Sequence, residues 1–207
     1  MALQIEPYNH LKPLLLAGSV PFDGGEIKAL LVDSSYAFDA ADTVLADVAA
    51  AEIAGAGYVA GGKSLTGVSI VTTTPATATL WAADSPVAFG AVVRPTADNG
   101  RLYLCVVPGT TDAAEPVWPT IGGGAVNDNG VIWLEVGGAV STLDAANLVW
   151  AAATITARRA IIYRDATVGA LESPLLFSVL LDDTPGDVSS VNSDFTLAWS
   201  TAGILIL

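Results

Sequence analysis

The feature that most constrains this chain is its punctuation. Short apolar runs rich in Val, Ile and Leu alternate with clusters of Gly, Pro, Asn and Asp along most of its length. Runs of that size, bounded by turn residues, suit strands and are too short for ordinary helices. The runs predict strands at Ile27–Asp33, Ser64–Thr72, Val87–Arg94, Leu102–Val107, Val131–Glu135, Leu148–Ala152, Arg158–Arg164, Leu175–Leu181 and Phe195–Trp199. A period of two is visible locally. Ile155, Ala157 and Arg159 fall on one face, and Thr154, Thr156 and Arg158 on the other. Asn99-Gly100 and Asn129-Gly130 suit the positive backbone angles of tight hairpins. Pro185-Gly186 is a further turn signal. Helical spacing is confined to Thr43–Ala54, with Asp42 as a candidate cap and Gly55 and Gly57 as stops. The expected class is all-β: a β-sandwich or jelly-roll-like domain with at most one short helix.

At 207 residues the chain can form one large β domain or two smaller ones. Three of its five Trp residues, Trp81, Trp118 and Trp133, fall in one segment together with Phe89 and Tyr103. Thr/Ala-rich sequence precedes that segment, and Gly137-Gly138 closes it. The pattern predicts a discontinuous domain, 1–80 plus 139–207, with a small β module at 81–138 spliced into a surface loop. The competing organisation is one continuous domain with an aromatic-rich sheet.

The net charge of −13, from 21 acidic and 8 basic residues, disfavours nucleic-acid or anionic-membrane partners. Among the basic residues only Arg158 and Arg159 adjoin. No apolar stretch is long enough for a transmembrane helix, and no leader-like segment is expected at the N-terminus. A single cysteine, Cys105, rules out an intrachain disulfide. It is compatible with assembly in a reducing cytoplasm.

Motifs for chemistry are sparse. His10 is the one histidine, and no nucleophile elbow accompanies it. It reads as a surface or interface residue. Asp182 and Asp183 are adjacent, so on a strand they would point to opposite faces. They read as a solvated turn rather than a glycosidase pair. Asn127-Asp128-Asn129-Gly130 offers oxygen ligands but not the spacing of a calcium loop. Gly57 to Ser64 formally matches G-x-x-x-x-G-K-S, yet strand-like sequence follows where a phosphate loop opens a helix. A glycine-rich turn entering a strand fits better. No catalytic, cofactor-binding or metal-binding residue is assigned, and no enzymatic activity is expected.

Several short words carry a resemblance. They are Tyr8-Asn9-His10-Leu11-Lys12, the run Ile27 to Tyr36, Asp42 to Val48, Glu52 to Tyr58, Gly61-Gly62, Ala157 to Asp165, Ser173 to Leu176, and Asp194 to Trp199 with Gly203-Ile204. Together they resemble small virion structural proteins of tailed bacteriophages. The segment from Trp81 to Trp133 resembles small modules of phage tail and surface proteins. It is more faintly similar to chitin- and cellulose-binding modules.

The resemblance implies a head decoration (cement) protein on the outer surface of the capsid. Its partner would be the major capsid protein lattice, and its assembly a homo-oligomer, with a trimer expected. It also implies glycan contact by exposed rings of the module, with Trp118 and Tyr103 as candidates. Those rings have an alternative use as the core of a small module that has little else to bury. Trp118, near Pro116 and Pro119, is the better exposed candidate, and Trp133 the buried one. The rival functions are a tail-fibre or baseplate component binding host-surface glycans, and a carbohydrate-active enzyme.

Overall fold

Most of the expected runs are strands, and the fold is all-β. The computed structural model describes residues 4–22, 26–182, 184, 186–200 and 203–206. In chain order the strands are β1 (Gln4–Pro7), β2 (Ile27–Val32), β3 (Lys63–Ser64), β4 (Ser69–Thr73), β5 (Thr79–Leu80), β6 (Pro86–Val87), β7 (Val92–Arg94), β8 (Tyr103–Val107), β9 (Gly109–Thr110), β10 (Ala125–Asp128), β11 (Val131–Glu135), β12 (Val140–Asp144), β13 (Leu148–Ala157), β14 (Arg159–Arg164), β15 (Thr167–Val168), β16 (Leu171–Glu172), β17 (Leu175–Leu180), β18 (Val188–Leu197) and β19 (Leu205–Ile206). The helices are α1 (Leu11–Leu16) and α2 (Leu45–Val48).

Two compact units divide the chain. The first is Met1–Ser69 with Asp144–Ser200, and the second is Ile70–Leu143 with Thr201–Leu207. The second unit thus extends beyond residues 81–138 on both sides and takes in the C-terminal strand β19.

The first unit is built on an antiparallel sheet of order β1-β17-β14-β2-β3. Its three central strands are closed on both faces. Leu175 to Val179, Ala160 to Tyr163 and Ala29 to Val32 are all buried. That is why these segments read as continuous apolar runs instead of alternating ones. One layer of this core joins Leu30, Val32, Ile161, Tyr163 and Leu175 to Tyr8, Val48 and Ala51. Each Leu, Val and Ile among them contributes on the order of 1.5–3 kcal/mol by leaving water.

The first unit also holds a ribbon of two ten-residue strands, β13 and β18. Its register slips twice, and each slip places a non-glycine residue in the left-handed region: Ala152 (φ 48°) and Asn192 (φ 45°). Opposite-strand side chains hold both. The Ala152 amide donates to Asp194 Oδ1, and the Asn192 amide donates to Thr154 Oγ1. These are β-bulges, and they bend the ribbon.

The second unit has a sheet of order β10-β11-β8-β7-β5 and a three-stranded sheet of order β19-β12-β4. Asn129 and Gly130 both have positive φ and join β10 to β11 as a tight hairpin, as their sequence predicts. Asn99-Gly100 does something else. It lies in a longer connection between β7 and β8, where Asp98 Oδ1 accepts the Gly100 amide and Asn99 Nδ2 donates to the Tyr103 hydroxyl.

The helices differ from expectation. Among the described residues there are two, not at most one. The first, α1, carries Pro13 in its opening turn, where a missing amide proton costs nothing. The helix expected over Thr43–Ala54 shrinks to α2 and a 3₁₀ turn at Ala49–Ala51. It stops because the edge of β2 captures the following backbone. The Ile53 amide donates to the Leu31 carbonyl, and the Asp33 amide to the Ala51 carbonyl. Asp42 is not its cap. Asp47 Oδ2 accepts the Thr43 and Val44 amides, while Asp42 accepts the Tyr36 hydroxyl. The Pro185-Gly186 turn and the Asp182-Asp183 pair each include a residue outside the described ones.

Candidate binding surfaces

In the second unit the inward face of the five-stranded sheet carries Val93, Tyr103, Cys105, Val131 and Trp133, closed by Trp81. A core this small would waste two indole N–H groups without acceptors. Asp128 supplies the acceptor. Its Oδ2 receives Trp81 Nε1–H at 2.8 Å and Trp133 Nε1–H at 2.9 Å, and its Oδ1 receives the Asp112 amide at 2.7 Å. The carboxylate is 2% exposed. A second buried carboxylate, Glu135, takes Arg101 Nη1–H at 2.5 Å and the Gly123 and Gly137 amides. The hydrogen bond from Arg101 is the main cause that holds its pKa below the ordinary glutamate value, against the opposing effect of burial.

The expected glycan contacts come out differently. Tyr103 is fully buried, and its hydroxyl donates to the Pro119 carbonyl. It presents no ring face and leaves the contact set. Trp118 is half-buried. Its ring lies 4.3 Å from Tyr103 and 6.0 Å from Trp133, and its Nε1–H donates to Glu115 Oε1. The prolines beside it do not hold the indole out in solvent. They let its loop fold back onto the core, leaving Val117 at 92% and Ile121 at 77% exposure as the outward residues. Trp133 is buried, as expected.

Glu115 also accepts the Thr96 amide and hydroxyl. Burial raises its pKa, but the bonds from Thr96 and Trp118 outweigh that and leave it lowered. The exposed aromatic of this unit is Phe89, at 53%, a residue sequence reasoning did not single out as a contact. A cavity of about 440 Å³ opens among Leu80, Trp81, Pro86, Val92, Thr111 and Trp133.

In the first unit the glycine-rich segment resembling a phosphate loop winds around a tyrosine. The Tyr58 hydroxyl donates to Glu52 Oε1 at 2.8 Å and accepts the Leu31 amide at 3.1 Å. Gly61 N–H also donates to Glu52 Oε1. The amide that a phosphate loop would turn toward an anion is already held by a carboxylate. Lys63 Nζ donates to the Val149 carbonyl, and strand β3 follows instead of a helix. Gly62 has φ +72°, and a Cβ there would overlap the Ala29 carbonyl. Its glycine is required by close backbone approach. The Tyr163 hydroxyl donates to the Gly61 carbonyl.

A second phenol pair, Tyr8 and Tyr36 at 2.9 Å, ends on Asp42. Burial is the first cause of raised pKa values at Tyr8, Tyr36, Tyr58 and Tyr163, with Tyr36 and Tyr163 pushed up to about 12. An open groove of about 530 Å³ runs between Asp33, Glu52 and Ala54 on one side and Thr154, Thr156 and Ser189 on the other.

The remaining candidates are placed without being brought together. His10 stacks on Tyr8 at 6.2 Å, and its Nε2 is buried without a hydrogen-bond partner. The Asn127–Gly130 oxygens turn away from any common centre. Asn127 Oδ1 accepts the Gly130 amide, Asp128 faces the two indoles, and the Asn129 amide group donates to the Thr110 carbonyl. Among the described residues no group of three His, Cys, Asp or Glu is placed to hold a metal ion. Likewise, none of their helices is long and apolar enough to cross a membrane.

Comparison with protein-family models, curated proteins and solved structures gave no match to this chain.

Proposed function

We propose that this chain is a structural protein of a tailed-bacteriophage virion, a head decoration protein that binds the capsid lattice from outside and stabilises it. The first unit supplies the lattice contact in this reading, and the second projects outward. The observation that carries the reading is where the phage-like words fall. Words spread from Tyr8 to Tyr163 meet in one hydrogen-bonded scaffold of the first unit. Leu31, Glu52, Tyr58, Gly61 and Tyr163 form one network, and Tyr8, Tyr36 and Asp42 form another. The carboxylates and phenols of those words act on each other, as in a rigid building block. Cement work needs such a block and a broad contact surface rather than a reactive site.

Binding to a lattice stabilises it by mass action. Particles lacking the protein should therefore lose heat resistance before they lose shape, and its copy number should scale with capsid subunits. Unchanged melting of deficient particles, or a copy number of a few per virion, would refute the assignment. One observation favours a second reading, in which the second unit contacts host-surface glycan on a tail component: the unit carries the half-exposed ring of Phe89 and the half-buried ring of Trp118.

A further inference from the structure

An antiparallel sheet that closes one face on a core ordinarily turns polar residues outward on the other. The five-stranded sheet of the second unit, antiparallel except where β5 runs parallel to β7, departs from that rule. Its register places Leu80 beside Arg94, Val92 beside Leu104, and Leu104 beside Leu134. Ile132 follows on the same side of β11, opposite Asn127, and Ala125 lies opposite Leu134. The face turned away from the indole core is thus Leu80, Val92, Leu104, Ile132 and Leu134, with one cation, Arg94. It closes at one end, where Leu102 is fully buried. Elsewhere it stays part-open: Leu80 is 45% exposed, and Val92, Leu104, Ile132 and Leu134 are half-buried.

Arg94 is the anomaly. Every other arginine of the chain has a carboxylate: Arg101 with Glu135, Arg158 with Asp187, Arg159 with Glu6, and Arg164 with Glu26. Arg94 makes no ion pair among the described residues, and its Nε is buried without a hydrogen-bond partner. In a chain with 21 acids and 8 bases, a half-buried arginine whose Nε is out of water with no acid beside it is an unmet electrostatic demand.

We propose that this aliphatic face is a docking surface for a polypeptide segment of a partner protein that is apolar and carries a carboxylate, which Arg94 receives. Charge complementarity selects the partner. A second copy of this face would bring only Leu, Val, Ile, Ala, Asn and Arg, with no carboxylate, and would bury two unpaired cations. Basic and neutral segments fail for the same reason. A carboxylate on an aliphatic strand supplies both missing partners: bidentate acceptors for the guanidinium fork and apolar cover for the ladder. The surface serves any such polypeptide and does not require the capsid assignment.

The test uses the full chain with labelled methyl groups and labelled arginine. The probes are a capped peptide, Leu-Val-Glu-Val-Leu, and its counterparts with Gln or Lys at the centre, at millimolar concentration. The Glu peptide should shift the methyl signals of Val92, Leu104, Ile132 and Leu134 and the Arg94 Nε–H signal. The Gln peptide should bind several-fold more weakly, since a charge-assisted hydrogen bond is roughly twice as strong as a neutral one, and the Lys peptide weakest. Arg94→Gln should erase the difference between Glu and Gln peptides while the core signals of Trp133 and Tyr103 stay in place. Arg94→Lys should restore it in part.

Equal binding of all three peptides by the unaltered chain would overturn the proposal. So would shifts confined to other surfaces, or no shift at all. If the Glu peptide binds in this order to a chain that no particle retains, the docking surface stands and the capsid reading falls.

Discussion

Removing the carboxylate at position 128 is the sharpest perturbation of the second unit. Asp128 takes three donors, Trp81 Nε1–H, Trp133 Nε1–H and the Asp112 amide, while 2% exposed. Each hydrogen bond to a charged group is worth about 1.5–3 kcal/mol, and a buried donor left without an acceptor carries the desolvation penalty itself. Asp128→Ala orphans all three at once and opens a small void between two indoles. Sharing among the three bonds makes the loss less than additive, and about 4–7 kcal/mol is expected. That approaches the whole stability of a small unit, about 5–15 kcal/mol. Asp128→Asn should cost less, about 1–3 kcal/mol, because its oxygen can still face the indoles while its NH₂ meets the Asp112 amide donor to donor. The assay is chemical denaturation followed by tryptophan fluorescence, with indole N–H signals of Trp81 and Trp133 read by NMR. An Asp128→Ala chain that keeps both indole signals at native positions and loses less than about 1 kcal/mol would refute the clamp.

Four further outcomes follow from the same geometry. Trp133→Ala should cost about 3–5 kcal/mol in denaturation, whereas Trp118→Ala, half-buried on Tyr103 and Trp133, should cost roughly half that; equal losses would place Trp118 fully in the core. Gly62→Ala should destabilise the first unit by more than the ~1–2 kcal/mol of a left-handed alanine alone, because its Cβ overlaps the Ala29 carbonyl; a native melting curve would show that the backbone can part there. Glu135 has a lowered folded-state pKa, so its contribution is present above the unfolded value of about 4.3 and vanishes as pH falls through the folded one. Arg101→Gln should therefore flatten the acid limb of the stability curve, and an unchanged limb would contradict the pairing. Tyr8, Tyr36, Tyr58 and Tyr163 have raised values, so their contribution is present below about pH 10 and lost as pH rises through the folded values. Tyrosinate absorbance should appear cooperatively with unfolding of the first unit, and gradual ionisation without unfolding would refute it.

Extreme burial is one signal that makes a strand legible in the sequence, although the exposed β4 was legible too through its run of Ile, Val and Thr. Val131–Glu135 and Leu175–Leu180 read clearly because every residue, or every second one, is apolar. Gln4–Pro7 escaped because an edge strand in β1's position needs little apolar content. Its charge, Glu6, instead pairs with Arg159 across the sheet. The sequence predicts a strand only over Leu148–Ala152, and the alternation of buried residues along β13 breaks at that point. The break is a bulge, and the strand resumes in the other phase as far as Ala157. A one-residue slip reverses which face each side chain takes, so a period-two reading stops where the register shifts.

The second unit was harder to read, for a reason visible at Tyr103 and Trp118. Aromatic rings and acids in one short segment suggest an exposed platform when each is weighed singly. In three dimensions they satisfy each other: Asp128 serves two indoles, Glu115 a third, and Asn99 and Pro119 the Tyr103 hydroxyl. A unit this small has few aliphatic side chains to bury, so it builds its core from rings, and rings bring polar edges that need acceptors. The acceptors must come from the same segment and must be anions or carbonyls held without water. No single residue carries that signal. It lies in the pairing of an abundance of Trp with acids at hairpin ends, and Asp128 beside the Asn129-Gly130 turn is the position where the turn chemistry and the core chemistry coincide. The same economy explains Arg94. Carboxylates committed to indoles and amides inside are not free to answer a guanidinium on the other face, so that face depends on a carboxylate from elsewhere.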